Sequence, residues 1–306
     1  MIQEKQKLKN MYPYEAKEWD TLFEHEYVET NGINLHIVRK GKGPLILFVH
    51  GFPEFWYCYR YQLIDFSQNF TAVAIDNRGY NQSDKPTNKA DYKLEELVKD
   101  LRGVIKHLGY DSCILVAHDW GGIIAWQFAY DYPEMLDNLI ILNCPHPIKY
   151  IQNLTSPEQM LKSWYVLFFQ LPAVPEWLIS QQNYYLLEQI FLLMTKDKSI
   201  FPKPELEYYK QMVSQGNTLT SMINYYRNIP DLLFNFQNSN MNGKLKVPVL
   251  IIWGEEDLAL SKALTYNMDE YLTNFRVKYI PNCSHWVQQE QPDLVNQYIR
   301  DFITKD

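Results

Sequence analysis

An apolar run, CILVA at 113–117, leads directly into His118-Asp119-Trp120-Gly121-Gly122, and helix-forming residues follow at Ile123, Ile124, Trp126, Gln127 and Phe128. A strand that turns sharply into a helix crowds the residue at the turn, and small neighbours such as Ala117 and Gly121 relieve that crowding. Such an elbow presents one side chain for attack, here the carboxylate of Asp119 where a serine is usual. No other serine or cysteine in the chain has this frame. Asp is also a common helix cap, and the local pattern alone fits that plainer role equally well.

Chain order weighs for chemistry. After the apolar run VLIIW at 249–253 comes GEEDLA, with Asp257 the candidate acid and Glu256 kept as the alternative. After the next strand-like run, 276–280, comes NCSHW with His285. Nucleophile, acid and histidine thus follow one another, each at the C-terminal end of a strand, where sites form in open α/β sheets. The plainer readings are a solvated loop carboxylate for Asp257 and a packing histidine for His285. All three falling in order and in context favours the functional one.

A further motif, His50-Gly51-Phe52-Pro53, follows the run LILFV. The loop at this place can give one backbone N–H, that of Phe52, to a developing oxyanion, with the N–H of Trp120 as the second donor. Pro53 suits a cis peptide. His50 reads as a buried structural histidine. Cys283 is on the histidine's own loop and not on an elbow. The seven histidines show no metal-ligand spacing, so neither metal nor cofactor is expected.

A carboxylate needs no base to attack. On an ester carbonyl it would gain little, but on a saturated carbon it forms an alkyl ester with a real lifetime. The leaving group must then be strained or good: an epoxide oxygen or a halide. His285, held by Asp257, would activate water against that ester. It must be neutral to do so, and activity is expected to fall as it protonates in mildly acid solution. An epoxide oxygen also needs a proton donor, which tyrosine phenols can supply.

These side chains need a scaffold. Residues 27–30 and 33–39 flank Asn31-Gly32, a hairpin signal. The short apolar runs at 45–49, 71–75, 113–117, 139–142, 249–253 and 276–280 read as strands of a sheet covered on both faces. Between them, Leu94, Leu97, Val98, Leu101, Val104, Ile105 and Leu108 share one helical face that stops at Gly109. The expected class is therefore α/β. Residues 144–243 break the alternation and read as a helical cap inserted between core segments 1–143 and 244–306.

The chain has 306 residues and a net charge of −7, which argues against nucleic acid as partner. The dispersed cysteines fit a reducing, cytoplasmic setting. MIQEKQKLKN at the N-terminus lacks a signal-peptide core, and no apolar run has membrane-spanning length. The protein is expected as a monomer or homodimer.

HGFPE at 50–54, DNRGYNQSDKP at 76–86, AHDWGG, GEEDLA and CSHW together resemble the epoxide hydrolases of the α/β-hydrolase superfamily, over almost the whole chain. NCPHP at 143–147 and SHWVQQEQPDLVN are similar to their membrane-associated animal branch, whose anchor is not seen at this N-terminus. Asn77, where that family usually has Leu, and Asn81, often Gly, depart from its pattern. The resemblance implies an α/β-hydrolase fold and cap tyrosines at Tyr165, in WYVLFFQLP, and Tyr226, in NYYRN. The aromatic and aliphatic insertion, with Trp164, Phe168, Phe169, Leu171 and Trp177, suggests an apolar pocket for an apolar epoxide, with Pro53 and Trp120 as further expected contacts. Haloalkane and fluoroacetate dehalogenases are the alternative. The first usually place a halide donor where Phe52 stands, and the second place arginines after the nucleophile, where Trp120 and Ile123 stand here. A catalytically silent, ligand-binding relative is a further alternative, though no triad member is missing.

Overall fold

The computed structural model describes residues 16–154, 156–237, 241 and 243–304; the N-terminal MIQEKQKLKN stretch lies outside them. Strands β1 (Glu24–Thr30) and β2 (Ile33–Lys40) form the hairpin read from Asn31-Gly32. Thr30 pairs with Ile33, and both turn residues are left-handed, at φ 47° and 74°. That is the turn whose twist matches paired strands.

Strands β3 (Leu45–Val49), β4 (Thr71–Ile75), β5 (Cys113–His118), β6 (Leu136–Leu142), β7 (Val249–Gly254) and β8 (Phe275–Ile280) complete one sheet of eight strands, ordered β1-β2-β4-β3-β5-β6-β7-β8. Every pairing from β4 to β8 is parallel; β2 meets both β1 and β4 antiparallel. Residues of β3, β5 and β7 are buried throughout, because helices cover both faces. Strand β6 starts at Leu136, earlier than its apolar run, since the exposed Asp137 disguises its first turn of pleat. Burial alternates along β8, as expected of an edge strand with one covered face.

Helices α1 (Arg60–Phe66), α2 (Leu94–His107) and α3 (Trp120–Asp131) precede β6; α11 (Val287–Glu290) and α12 (Pro292–Ile303) close the chain. Along α2 the expected stripe is buried from Leu94 to Ile105, Leu108 just past the helix is half-buried, and Gly109 follows at φ 81°. Among the described residues between β6 and β7 lie seven helices: α4 (Pro147–Asn153), α5 (Pro157–Lys162), α6 (Trp164–Phe168), α7 (Val174–Leu193), α8 (Lys203–Val213), α9 (Thr218–Arg227) and α10 (Ile229–Gln237). No strand occurs among the described residues of this insertion. Helix α7 is broken where Gln182, Asn183 and Tyr184 turn left-handed.

Candidate active site

Asp119 closes β5 and opens α3 at φ 49°, ψ −122°, a conformation that costs a non-glycine residue about 1–3 kcal/mol. Close packing holds it there. A Cβ on Gly121 would come within 2.2 Å of the Val49 carbonyl oxygen, and one on Gly51 within 2.4 Å of Asp119 Oδ1. The Phe52 N–H donates to Asp119 Oδ1 at 2.8 Å, leaving Oδ2 turned toward His285.

His285 lies 2% exposed on the loop after β8. Its Nε2 is 3.7 Å from Asp119 Oδ2 and its Nδ1 is 2.7 Å from Asp257 Oδ2. Asp257 is fixed by the N–H groups of Ala259 and Leu260, which donate to Oδ1 at 2.8 and 2.9 Å, and by Asn143 Nδ2, which donates to Oδ2 at 2.7 Å. The alternative acid, Glu256, pairs with Lys196 and does not meet the imidazole. The residue before the nucleophile also braces the histidine: His118 Nε2 donates to the His285 carbonyl at 2.9 Å, and its Nδ1 faces Glu54 at 2.8 Å.

Burial by itself would lower the His285 pKa. The charge of Asp257, then contact with Asp119, reverses this and raises it to about 10. Burial would raise both carboxyls, but His285 beside them keeps Asp119 and Asp257 below the usual carboxylate value. In the free site the two carboxylates thus favour the protonated imidazole between them. Protonation of His285 in the free site is shifted upward from the mildly acid range of an ordinary imidazole.

Tyr165 on α6 and Tyr226 on α9 reach down from the insertion, their rings 5.8 Å apart. Burial first, and the Asp119 charge among lesser causes, pushes both phenols well above 10, so they keep their protons. They and Asp119 line two adjoining apolar cavities. The larger, of about 330 Å³, is walled by Trp164, Phe168, Phe169 and Ile190, with His285 at its floor. Trp120, Ile123, Tyr150 and Leu232 wall the other. Pro53 is buried and follows a cis Phe52–Pro53 bond, and Phe52 lines the larger cavity.

Asn143 was not singled out for a role. Its left-handed φ of 38° at the end of β6 brings its amide to Asp257, while Gly254 N–H donates to its Oδ1 at 2.8 Å. Its place at the C-terminal end of a strand was the available signal. Asn81, where the similar family often has Gly, is left-handed at φ 39°, which accounts for glycine there.

A mostly parallel sheet carrying an elbow aspartate, a facing histidine and an acid behind it defines an α/β hydrolase, and a family model described as alpha/beta hydrolase fold matches residues 44–292. Epoxide hydrolase 1 of Caenorhabditis elegans is 42% identical over 94% of this chain and 71% of its own length; Epoxide hydrolase 3 of Xenopus tropicalis is 42% identical over 92% and 78%. The crystal structure of Bacillus megaterium epoxide hydrolase in complex with an inhibitor superposes with a TM-score of 0.85 at 37% identity, covering 92% of this chain and 100% of that one. The chain belongs to the epoxide hydrolase family.

Proposed function

We propose that this protein opens apolar epoxides to vicinal diols through an ester on Asp119. Asp119 Oδ2 attacks a ring carbon; the carbon–oxygen bond breaks, and the oxygen takes a proton from Tyr165 or Tyr226. His285 passes its proton to the phenoxide so formed and becomes neutral; water then attacks the ester carbonyl carbon as His285, oriented by Asp257, accepts a proton from it. The charge that gathers on Oδ1 is met by the N–H of Phe52 and that of Trp120. On collapse the departing alkoxide takes that proton from His285, which frees the diol, and the new carboxyl gives its own proton to His285, returning a carboxylate that has gained one oxygen from water. The observation that carries this reading is the placement of two proton-bearing phenols above Asp119 and an acid-backed histidine beside it.

The insertion is read as a cap, residues 144–243, over a core of 1–143 and 244–306, and Trp120, Trp164, Phe168 and Phe169 as substrate-contacting. No cofactor takes part. Among the described residues no helix is long and apolar enough to cross a membrane. Four free, buried cysteines favour the cytoplasm, with the protein a monomer or homodimer.

The test is His285→Gln incubated with styrene oxide and weighed intact. Protein plus one epoxide is expected, absent in Asp119→Ala. Unmodified protein at saturating epoxide, or halide release from a haloalkane with no diol from the epoxide, would overturn the reading.

A further inference from the structure

We infer that Gln159 is a positioning residue for the second half of the reaction: it ties the cap to the loop that holds Asp257. The inference rests on the covalent mechanism proposed above.

Gln159 lies on α5, 1% exposed, and both ends of its side-chain amide bond one loop. Its Nε2 donates to the Ala259 carbonyl at 3.0 Å, and its Oε1 accepts from Ser261 N–H at 3.1 Å. It therefore grips the backbone on both sides of Leu260. The N–H groups of Ala259 and Leu260 are the donors that hold Asp257 Oδ1. Ala259 is thus held at its carbonyl by the cap while its N–H holds the acid. One turn on, Lys162 Nζ donates to the Asp257 carbonyl at 3.0 Å, a second strut from the same helix to the same loop.

The remaining Gln159 bond reaches the other way. Nε2 donates to Ser163 Oγ at 2.9 Å, and that hydroxyl bonds the Tyr150 phenol at 3.0 Å, on the cavity wall shared with Asp119 and Tyr165. A buried amide with three partners is costly to leave unmet, so the loop and the cap hold one register together. Asp257 acts only through His285, and His285 works on water after the ester exists. Loosening the loop should therefore slow ester hydrolysis and spare alkylation, which uses Asp119 and the two phenols.

The experiment is rapid-quench single turnover with styrene oxide on the full chain, following the ester by intact mass. In Gln159→Leu, which keeps much of the side-chain volume, alkylation is expected within about twofold of the parent. Hydrolysis slows on the order of tenfold to a hundredfold, the scale set by a small misalignment of reacting groups, so the ester accumulates. Lys162→Met, a change at a half-buried side chain, should slow hydrolysis in the same selective way and decides the matter should Gln159→Leu not fold. Parallel slowing of both steps, or an unchanged ratio between them in both variants, would overturn the role of Gln159 while leaving the mechanism intact. No ester even in His285→Gln would instead remove the mechanism and this inference with it.

Discussion

His285 Nε2 stands 3.7 Å from Asp119 Oδ2, beyond hydrogen-bond range but close enough for the two charges to hold each other. Esterification of Asp119 deletes one of the two carboxylates that keep the imidazole charged. The pKa of His285 must then fall, because a lost negative neighbour disfavours the protonated form. The nucleophile's own reaction thereby readies the base for the next step.

The pH dependences of the two steps should differ accordingly. Alkylation needs ionised Asp119 and protonated phenols, and their shifts, one down and two up, widen that window at both ends. Its single-turnover rate should be flat across about pH 5–9, between ordinary carboxylate and phenol values. Hydrolysis needs neutral His285 and should decline toward acid, with a midpoint below the value of about 10 in the free site. Asp119→Asn should lower the His285 midpoint seen by NMR of the ring protons; an unchanged midpoint would contradict the coupling.

Tyr165 and Tyr226 face Asp119 from the cap, and each can protonate or hydrogen-bond the leaving oxygen. Tyr165→Phe and Tyr226→Phe should each cut the alkylation rate by about 10²-fold, and the pair should nearly stop it. Ester hydrolysis, which involves neither phenol, should change little. Unaltered alkylation in the double variant would take the phenols out of the mechanism.

Asn143 shares Asp257 Oδ2 with His285 and helps keep that carboxyl ionised. Asn143→Leu should leave Gly254 N–H buried without its acceptor, at a cost of about 1–3 kcal/mol read as a lower midpoint in urea. It should also slow hydrolysis more than alkylation. Full stability together with full hydrolysis would show Asn143 to be dispensable.

What the sequence disclosed follows from how local each signal is. The runs at 45–49, 71–75 and 113–117 lie in strands covered on both faces, where continuous burial demands unbroken apolar stretches. The grouping of Asp119, His285 and Asp257 was legible because strand ends and chain order locate them. Tyr165 and Tyr226 were not, since a cap with many tyrosines offers no period to choose among them, and they came only from family resemblance. The charge state of His285, the Asn143 bond and the Gln159 clamp join residues far apart in the chain, as at Asn143 and Asp257, 114 positions apart. No window of sequence holds both partners.

Gly51 supplies the sharpest separation of site from scaffold. An added Cβ would come within 2.4 Å of Asp119 Cβ and Oδ1 and 2.8 Å of Cγ. These are not the free end of a flexible side chain: Oδ1 is held by Phe52 N–H, and the Asp119 backbone has little room to move. Relief must come by displacing the carboxylate or the Phe52 loop, and either one misaligns the attack. Gly51→Ala should therefore lower alkylation by about 10²-fold or more while the far-ultraviolet spectrum stays that of the parent. Gly109 makes the contrast. It needs φ +81° to end α2, yet its added Cβ would meet nothing within 4 Å. Gly109→Ala should cost about 1–2 kcal/mol of stability through backbone strain and leave both half-reactions at parental rates. Equal activity losses in the two variants would mean that Gly51 serves the fold in general and not the space kept for Asp119.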